Sequence, residues 1–324
     1  MNAAGKAIHL WFNEVIAAWD RFWFTAIDPA TLAIIRICTG MMLLYTHLIW
    51  SLDLTAFFGP EGWMPAELVT QTWESQGGGS HYFWSHLVHI QSSGVLWLLH
   101  IGALLVFFAM TIGLYSRCMT VVAFLLTVSY MHRATGALFG LDQINVMLTL
   151  YLMIGPSGAR FSIDAWRKSR GEQGAVIPSL SVAANVAIRL IQVHMCVIYF
   201  FAGARKMLGS SWWDGSAMWL SIANYEYQSV DLTWLADWPL LLAFLTHLTV
   251  LFELFYCALV WNRLTRPVVL LAAVAMHLGI ATCLGMATFG MAMLIGNLAF
   301  IPPALILALQ SRSSQNKPAV SRGG

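Results

Sequence analysis

Eight apolar stretches constrain this chain more than any other feature. They lie near residues 30–50, 94–114, 118–133, 138–155, 187–209, 239–260, 267–284 and 286–308. Each approaches or reaches the roughly 20 residues a helix needs to cross a bilayer. Charged residues are only 10% of the 324, against 59% hydrophobic; soluble domains carry roughly 25% charged residues. The expectation is an all-α integral membrane protein with about eight transmembrane helices in one bundle, a single domain over 1–324, and the lipid bilayer as its first partner. The third and fourth stretches are short, which predicts tilted or irregular spans. No run alternates as barrel strands do, which argues against a membrane barrel.

The segment before the first stretch, AIHLWFNEVIAAWDRFWF, has no unbroken apolar core and does not read as a secretion signal. Its Trp11, Phe12, Val15, Ile16, Trp19, Phe22 and Trp23 recur at helical spacing on one face. That pattern predicts an amphipathic helix lying in the membrane interface; the other reading is a helix packed on a partner domain. The five cysteines (Cys38, Cys118, Cys196, Cys257 and Cys283) include no CxxC pair, so neither a disulfide framework nor a zinc site follows. A net charge of +2 gives no reason to expect nucleic acid as a partner.

Basic residues give the orientation. Lys6, Arg21, Arg117, Arg160, Arg167, Lys168, Arg170, Arg263, Arg266, Arg312, Lys317 and Arg322 fall in the two terminal regions and in alternate connections. Arg133, Arg205 and Lys206 fall on the opposite side. By the positive-inside rule both termini, including a short tail at 309–324, are cytoplasmic and Lys206 is at the outer side. The two outward connections, 51–93 and 210–238, hold eight acids between them and many aromatics, including the run QGGGSHYFW. They are expected to form a partly ordered, aromatic-rich cap. No internal repeat is evident, which weakens a transporter built from inverted halves.

Ionisable side chains inside a bilayer are candidates for function. Gln192, Tyr199 and Lys206 are spaced by seven, with Gly203 beside them, and so form one polar stripe on a helix face. Two readings of Lys206 stand side by side. Either it and Arg205 anchor the helix end and complement its dipole, or desolvation and the charge of Arg205 lower its proton affinity until it serves as a general base. Glu253 lies deep in the sixth stretch and His277 in the seventh, and the two are expected to form a buried pair. Asp142, Gln143 and Asn145 open the fourth stretch. Arg36 is expected to snorkel to the near end of its helix. His100, His194 and His247 permit a haem reading, and His86 with His89 a metal reading, but ordinary hydrogen bonding and an aromatic interface account for them more simply.

The stretch IQVHMCVIYFFAGARKMLGSSWWDG resembles the signature helix of the HTTM family, the membrane domain of vitamin K-dependent gamma-carboxylase and its bacterial relatives. The family's Gln, Tyr, small-residue step, Lys, Trp and Gly fall on Gln192, Tyr199, Ala202 with Gly203, Lys206, Trp212 or Trp213, and Gly215. DPATLAIIRICTGMMLLY is similar to the family's opening Arg helix, and AMHLGIATCLGMATFGMAMLIGNLAFIPP to its later His helix, matching His277. The resemblance covers roughly 20–305. It implies quinol-dependent chemistry on the extracytoplasmic side of a bacterial plasma membrane, with Lys206 as base and His277 catalytic. Gln192, Tyr199, Arg205, Trp212, Trp213, Asp142 and Glu253 would line the site. The implied cofactor is reduced vitamin K or a menaquinol-like naphthoquinone with O2 and CO2 as co-substrates, and the implied acceptor is a glutamate of a secreted peptide or membrane protein. The animal enzyme carries a large extracytoplasmic region after its membrane domain, whereas this sequence stops at Gly324 on the expected cytoplasmic side. The alternative is a non-catalytic quinone- or lipid-binding subunit acting in maturation, immunity or redox partnering.

Overall fold

The computed structural model describes residues 3–75, 82–171 and 178–315. The glycine run of QGGGSHYFW, and the end of the tail, lie outside the described residues. Among those described, all regular structure is helical, apart from one isolated bridge between Ile27 and Ser181.

Helix α1 spans Ala3–Phe24 and α2 Ala30–Trp50, followed by the short α3 (Leu54–Phe58) and α4 (Ala66–Ser75). Then come α5 (Ser93–Ile112), α6 (Ser116–Arg133), α7 (Gly140–Ile154), α8 (Ile163–Gly171) and α9 (Val182–Lys206). The short α10 (Ser210–Trp213) and α11 (Ala217–Ile222) precede α12 (Pro239–Leu259), α13 (Arg266–Cys283), α14 (Ala287–Asn297) and α15 (Pro303–Gln315). Helices therefore occupy all eight apolar intervals. By length and composition five candidate spans qualify, containing α2, α5, α9, α12 and α13, or six if the bent pair α14 and α15 counts as one. Helix α7 has only 15 residues, too few to cross the hydrocarbon core.

The eighth stretch is not a continuous helix. Consecutive prolines, Pro302 and Pro303, remove two backbone donors, and the two helices meet at 96°. Carbonyls freed near the break find side-chain donors. Gln192 Nε2 donates to Ala299 O at 2.7 Å and Thr31 Oγ1 to Ile301 O at 3.0 Å. Unpaired, each would carry a desolvation cost of about 1–3 kcal/mol.

Arg36 departs from expectation. It does not reach into water but is fully buried, donating to Ser157 O at 2.8 Å and Phe161 O at 2.6 Å. It thereby pins the α7–α8 connection to α2. The same packing explains Gly113, which ends α5 at φ +71: a Cβ there would strike Ser162 and approach Arg36 Nη1 to 2.8 Å. Arg133 is likewise buried, bonded to the carbonyls of Phe58 and Gly59.

Helix α1 leaves Trp11, Phe12, Val15, Ile16 and Trp19 exposed. Its far end docks on α9, where Asn185 Nδ2 donates to the carbonyls of Phe22 and Trp23. The connection 210–238 holds α10, α11 and a 3-10 turn at Thr233–Asp237, so it is partly ordered.

Candidate functional site

Helix α9 begins at Ser181, whose hydroxyl accepts from Ala184 N at 3.2 Å. It runs 25 residues to Lys206, near the break at Gly209. The seven-residue stripe faces inward: Gln192, Tyr199 and Gly203 are buried and Lys206 is half-buried. Gly203 sets the distance to α12. A Cβ there would lie 3.0 Å from Leu254 Cγ and 3.1 Å from Glu253 Cβ, tighter than side chains ordinarily pack. This close approach brings the two helices to a seam at which Lys206 and Glu253 meet.

Lys206 Nζ donates to both carboxylate oxygens of Glu253, at 2.8 and 2.7 Å. The side chains are 24% and 8% exposed, so the pair is sealed on the Glu253 side and open on the Lys206 side. The Trp212 ring completes the mouth, with its centroid 5.2 Å from Nζ. The expected partnership of Glu253 with His277 is therefore wrong. Glu253 pairs with the Lys206 ammonium across the seam, and His277 turns to Tyr199. Arg205 is exposed and makes no ion pair among the described residues, and Lys206 is ion-paired rather than held bare beside it.

Deeper in the bundle a second polar chain links four helices. Asn297 Nδ2 donates to Tyr199 Oη at 3.0 Å, and Tyr199 Oη lies 2.7 Å from His277 Nε2. Tyr256 donates to Asn297 Oδ1 at 2.7 Å. Because Tyr199 accepts from Asn297, its own proton points to His277 Nε2, which leaves the imidazole proton on Nδ1. That Nδ1 is buried without a partner. The Tyr199 and Tyr256 rings stack at 3.9 Å. Sequence reading missed Asn297 and Tyr256, although a lone Asn in the last apolar run was a visible signal.

The remaining candidates divide. Gln192 bridges Arg189 and Ala299 O and thus holds the broken eighth segment. Trp213 is exposed and donates to Met207 O, capping the end of α9. Asp142 bonds its own Phe139 N–H at the start of α7, and with Asn145 lines a water-sized cavity beside His47 and Tyr130. Four of the five histidines once open to a haem or metal reading are engaged in other ways. His100 contacts Ser51 and Tyr130, His194 contacts Tyr151, His247 contacts Trp213 O, and His86 contacts Ser129. Among the described residues no three His, Cys, Asp or Glu side chains gather as metal ligands do.

The model of the HTTM domain matches residues 24–304. The chain belongs to the HTTM family. No curated protein and no solved structure matches it. HTTM membership agrees with the resemblance in the α9 sequence and accounts for most of the chain, so the Lys206 seam lies inside the matched domain.

Proposed function

We propose that this HTTM protein binds a reduced naphthoquinone at the outer end of α9 and that the Lys206–Glu253 pair takes up its phenolic proton. The observation that carries this reading is a lysine amine fixed by a buried carboxylate yet open on one side, beside an indole. Trp212 offers a face for a flat aromatic ring, and the surrounding apolar helices suit a lipid-soluble ligand. When bound, the hydroquinone supplies an acidic O–H and, with O2 and CO2, the oxidative chemistry that carboxylates a glutamate in the family's animal enzyme. The chain's own part is proton handling. Lys206 passes a proton to Glu253 and accepts the phenolic proton at Nζ, so one proton enters the pair, and the ammonium left beside the neutral carboxyl is balanced by the phenolate the quinol becomes. Tyr199 and His277 hold the helices on either side in register.

In this reading both termini are cytoplasmic, the site is extracytoplasmic, and α1 lies in the interface of a bacterial plasma membrane. A second reading is favoured by the ion pair itself. A charged Lys206 with two N–H groups on Glu253 keeps a third, which can donate to a quinone carbonyl in a protein that binds without turnover.

The test is conversion of a reduced naphthoquinone to its epoxide by the purified protein. Lys206→Arg retains a cation opposite Glu253, but guanidinium does not give up its proton. It should therefore fold normally and lose turnover by about 100-fold or more, while Arg205→Lys should be mild. Full turnover in Lys206→Arg sinks the proton-acceptor reading. Tight binding of the oxidised quinone by a wild-type protein that never turns over supports the binding subunit instead.

A further inference from the structure

At the opposite end of α9 from Lys206, about 37 Å along the helix, a partly open cavity of about 530 Å³ lies among the starts of α6, α8 and α9. Its size falls among the roughly 300–1,000 Å³ of small-ligand sites. Two cations line it, Arg117 and Lys168. Arg117 is only loosely held, through Nη1 contacts of 3.3 and 3.4 Å to the carbonyls of Ile154 and Gly155. Lys168 is exposed and has no ion-pair partner among the described residues.

One acid, Asp164, shares the wall, but its oxygens are committed. It accepts from Tyr115 N, Ser116 N and Ser116 Oγ at 2.9, 2.6 and 2.7 Å, capping α6. Burial would raise this carboxyl, yet those bonds and nearby Arg167 outweigh it and hold the group below the usual carboxylate range. Asp164 is therefore ionised, and against Arg117 and Lys168 it leaves the lining with a net positive charge.

The surroundings distinguish a lipid from a free anion. Exposed Tyr115 and Trp166 flank the cavity, with Arg167 5.8 Å from the Tyr115 ring and Arg170 4.2 Å from the Trp166 ring. Such aromatic and basic pairs gather at headgroup level. Below Arg117, Val121 and Leu125 follow at i+4 and i+8 on the same face of α6, both exposed. They form an apolar track leading away from the cation, as an acyl chain requires.

We propose that this cavity binds the phosphate of an anionic phospholipid through Arg117 and Lys168, with the acyl chain lying along Val121 and Leu125. Basic pockets at membrane-helix ends recognise anionic headgroups in this way. The site is independent of the chemistry assigned to Lys206.

Native mass spectrometry of the detergent-solubilised full chain, titrated separately with phosphatidylglycerol, phosphatidylcholine and inorganic phosphate, tests it. Phosphatidylglycerol should be retained about 25-fold more tightly than phosphatidylcholine, two cations contributing about fivefold each. Arg117→Gln with Lys168→Gln should erase that preference, and Arg117→Lys should keep most of it. Both side chains are exposed, and an unchanged thermal midpoint verifies that the double variant is folded. A preference that survives in the folded double variant overturns the site. Retention of inorganic phosphate as tight as that of phosphatidylglycerol overturns the lipid assignment.

Discussion

Removing Lys206 alone should expose how the ion pair is balanced. At 2.7 Å the two charges attract by about 6 kcal/mol at an effective dielectric of about 20, roughly the scale of the desolvation they suffer. The pair is therefore close to neutral for stability, but either half alone is not. In Lys206→Met, Glu253 stays at 8% exposure against an apolar helix with no cation to meet it. Its cheapest escape is to take a proton. From an ordinary carboxyl pKa of about 4.3, that costs about 3.7 kcal/mol at pH 7 and about 1 kcal/mol at pH 5. The sign follows from linkage: the folded variant holds a proton that the unfolded chain releases above about pH 4.3, so stability falls as pH rises. Glu253→Gln should be milder, about 1 kcal/mol, because Lys206 at 24% exposure can turn its amine to the nearby surface. The double variant Lys206→Met with Glu253→Gln should lose the pH dependence. Thermal unfolding in detergent, followed by tryptophan fluorescence, reads these differences. Lys206→Met should melt on the order of 7 °C below wild type at pH 7 and recover most of that at pH 5. A Lys206→Met protein as stable as wild type, with a flat profile between about pH 5 and pH 8, would refute the ion pair.

Two further outcomes are expected. Tyr199→Phe leaves His277 without a partner on either nitrogen and should cost about 1–3 kcal/mol of stability, with a smaller loss of quinol turnover than Lys206→Arg; unchanged melting would show that the Tyr199–His277 bond is not formed. For orientation, an impermeant thiol reagent should reach Ser75→Cys in intact cells, while exposed Cys118 should react only after lysis, and the reverse pattern inverts the topology.

What the sequence made legible was periodic. Helix positions follow from apolar run length, and α2, α5, α6 and α12 begin and end within about three residues of the expected intervals. The inward stripe of Gln192, Tyr199 and Lys206 follows from its spacing of seven. Partnerships between helices were not legible, because they depend on rotation and depth about axes that a linear pattern leaves free. Glu253 was expected to face His277; the close approach at Gly203 brings it to Lys206 instead. Arg36 looked like a side chain able to reach water, but the loop that covers it lies more than 120 positions downstream. The double proline at 302–303 was readable, and its 96° consequence was hidden by the apolar run that continues across it.

The contact at Gly203 also restricts the route to Lys206. Carbon atoms in contact sit about 3.5–4.0 Å apart, so a flat ring needs roughly twice that between two surfaces. A seam too narrow for one added methyl group cannot admit such a ring from the bilayer between α9 and α12. On the proposed reading, a planar ligand would come in over the Trp212 edge, along the short helices that follow Gly209, and would leave by the same door. The residues of that threshold, rather than those lining the seam, would then govern how large a ring or how long a tail the protein accepts.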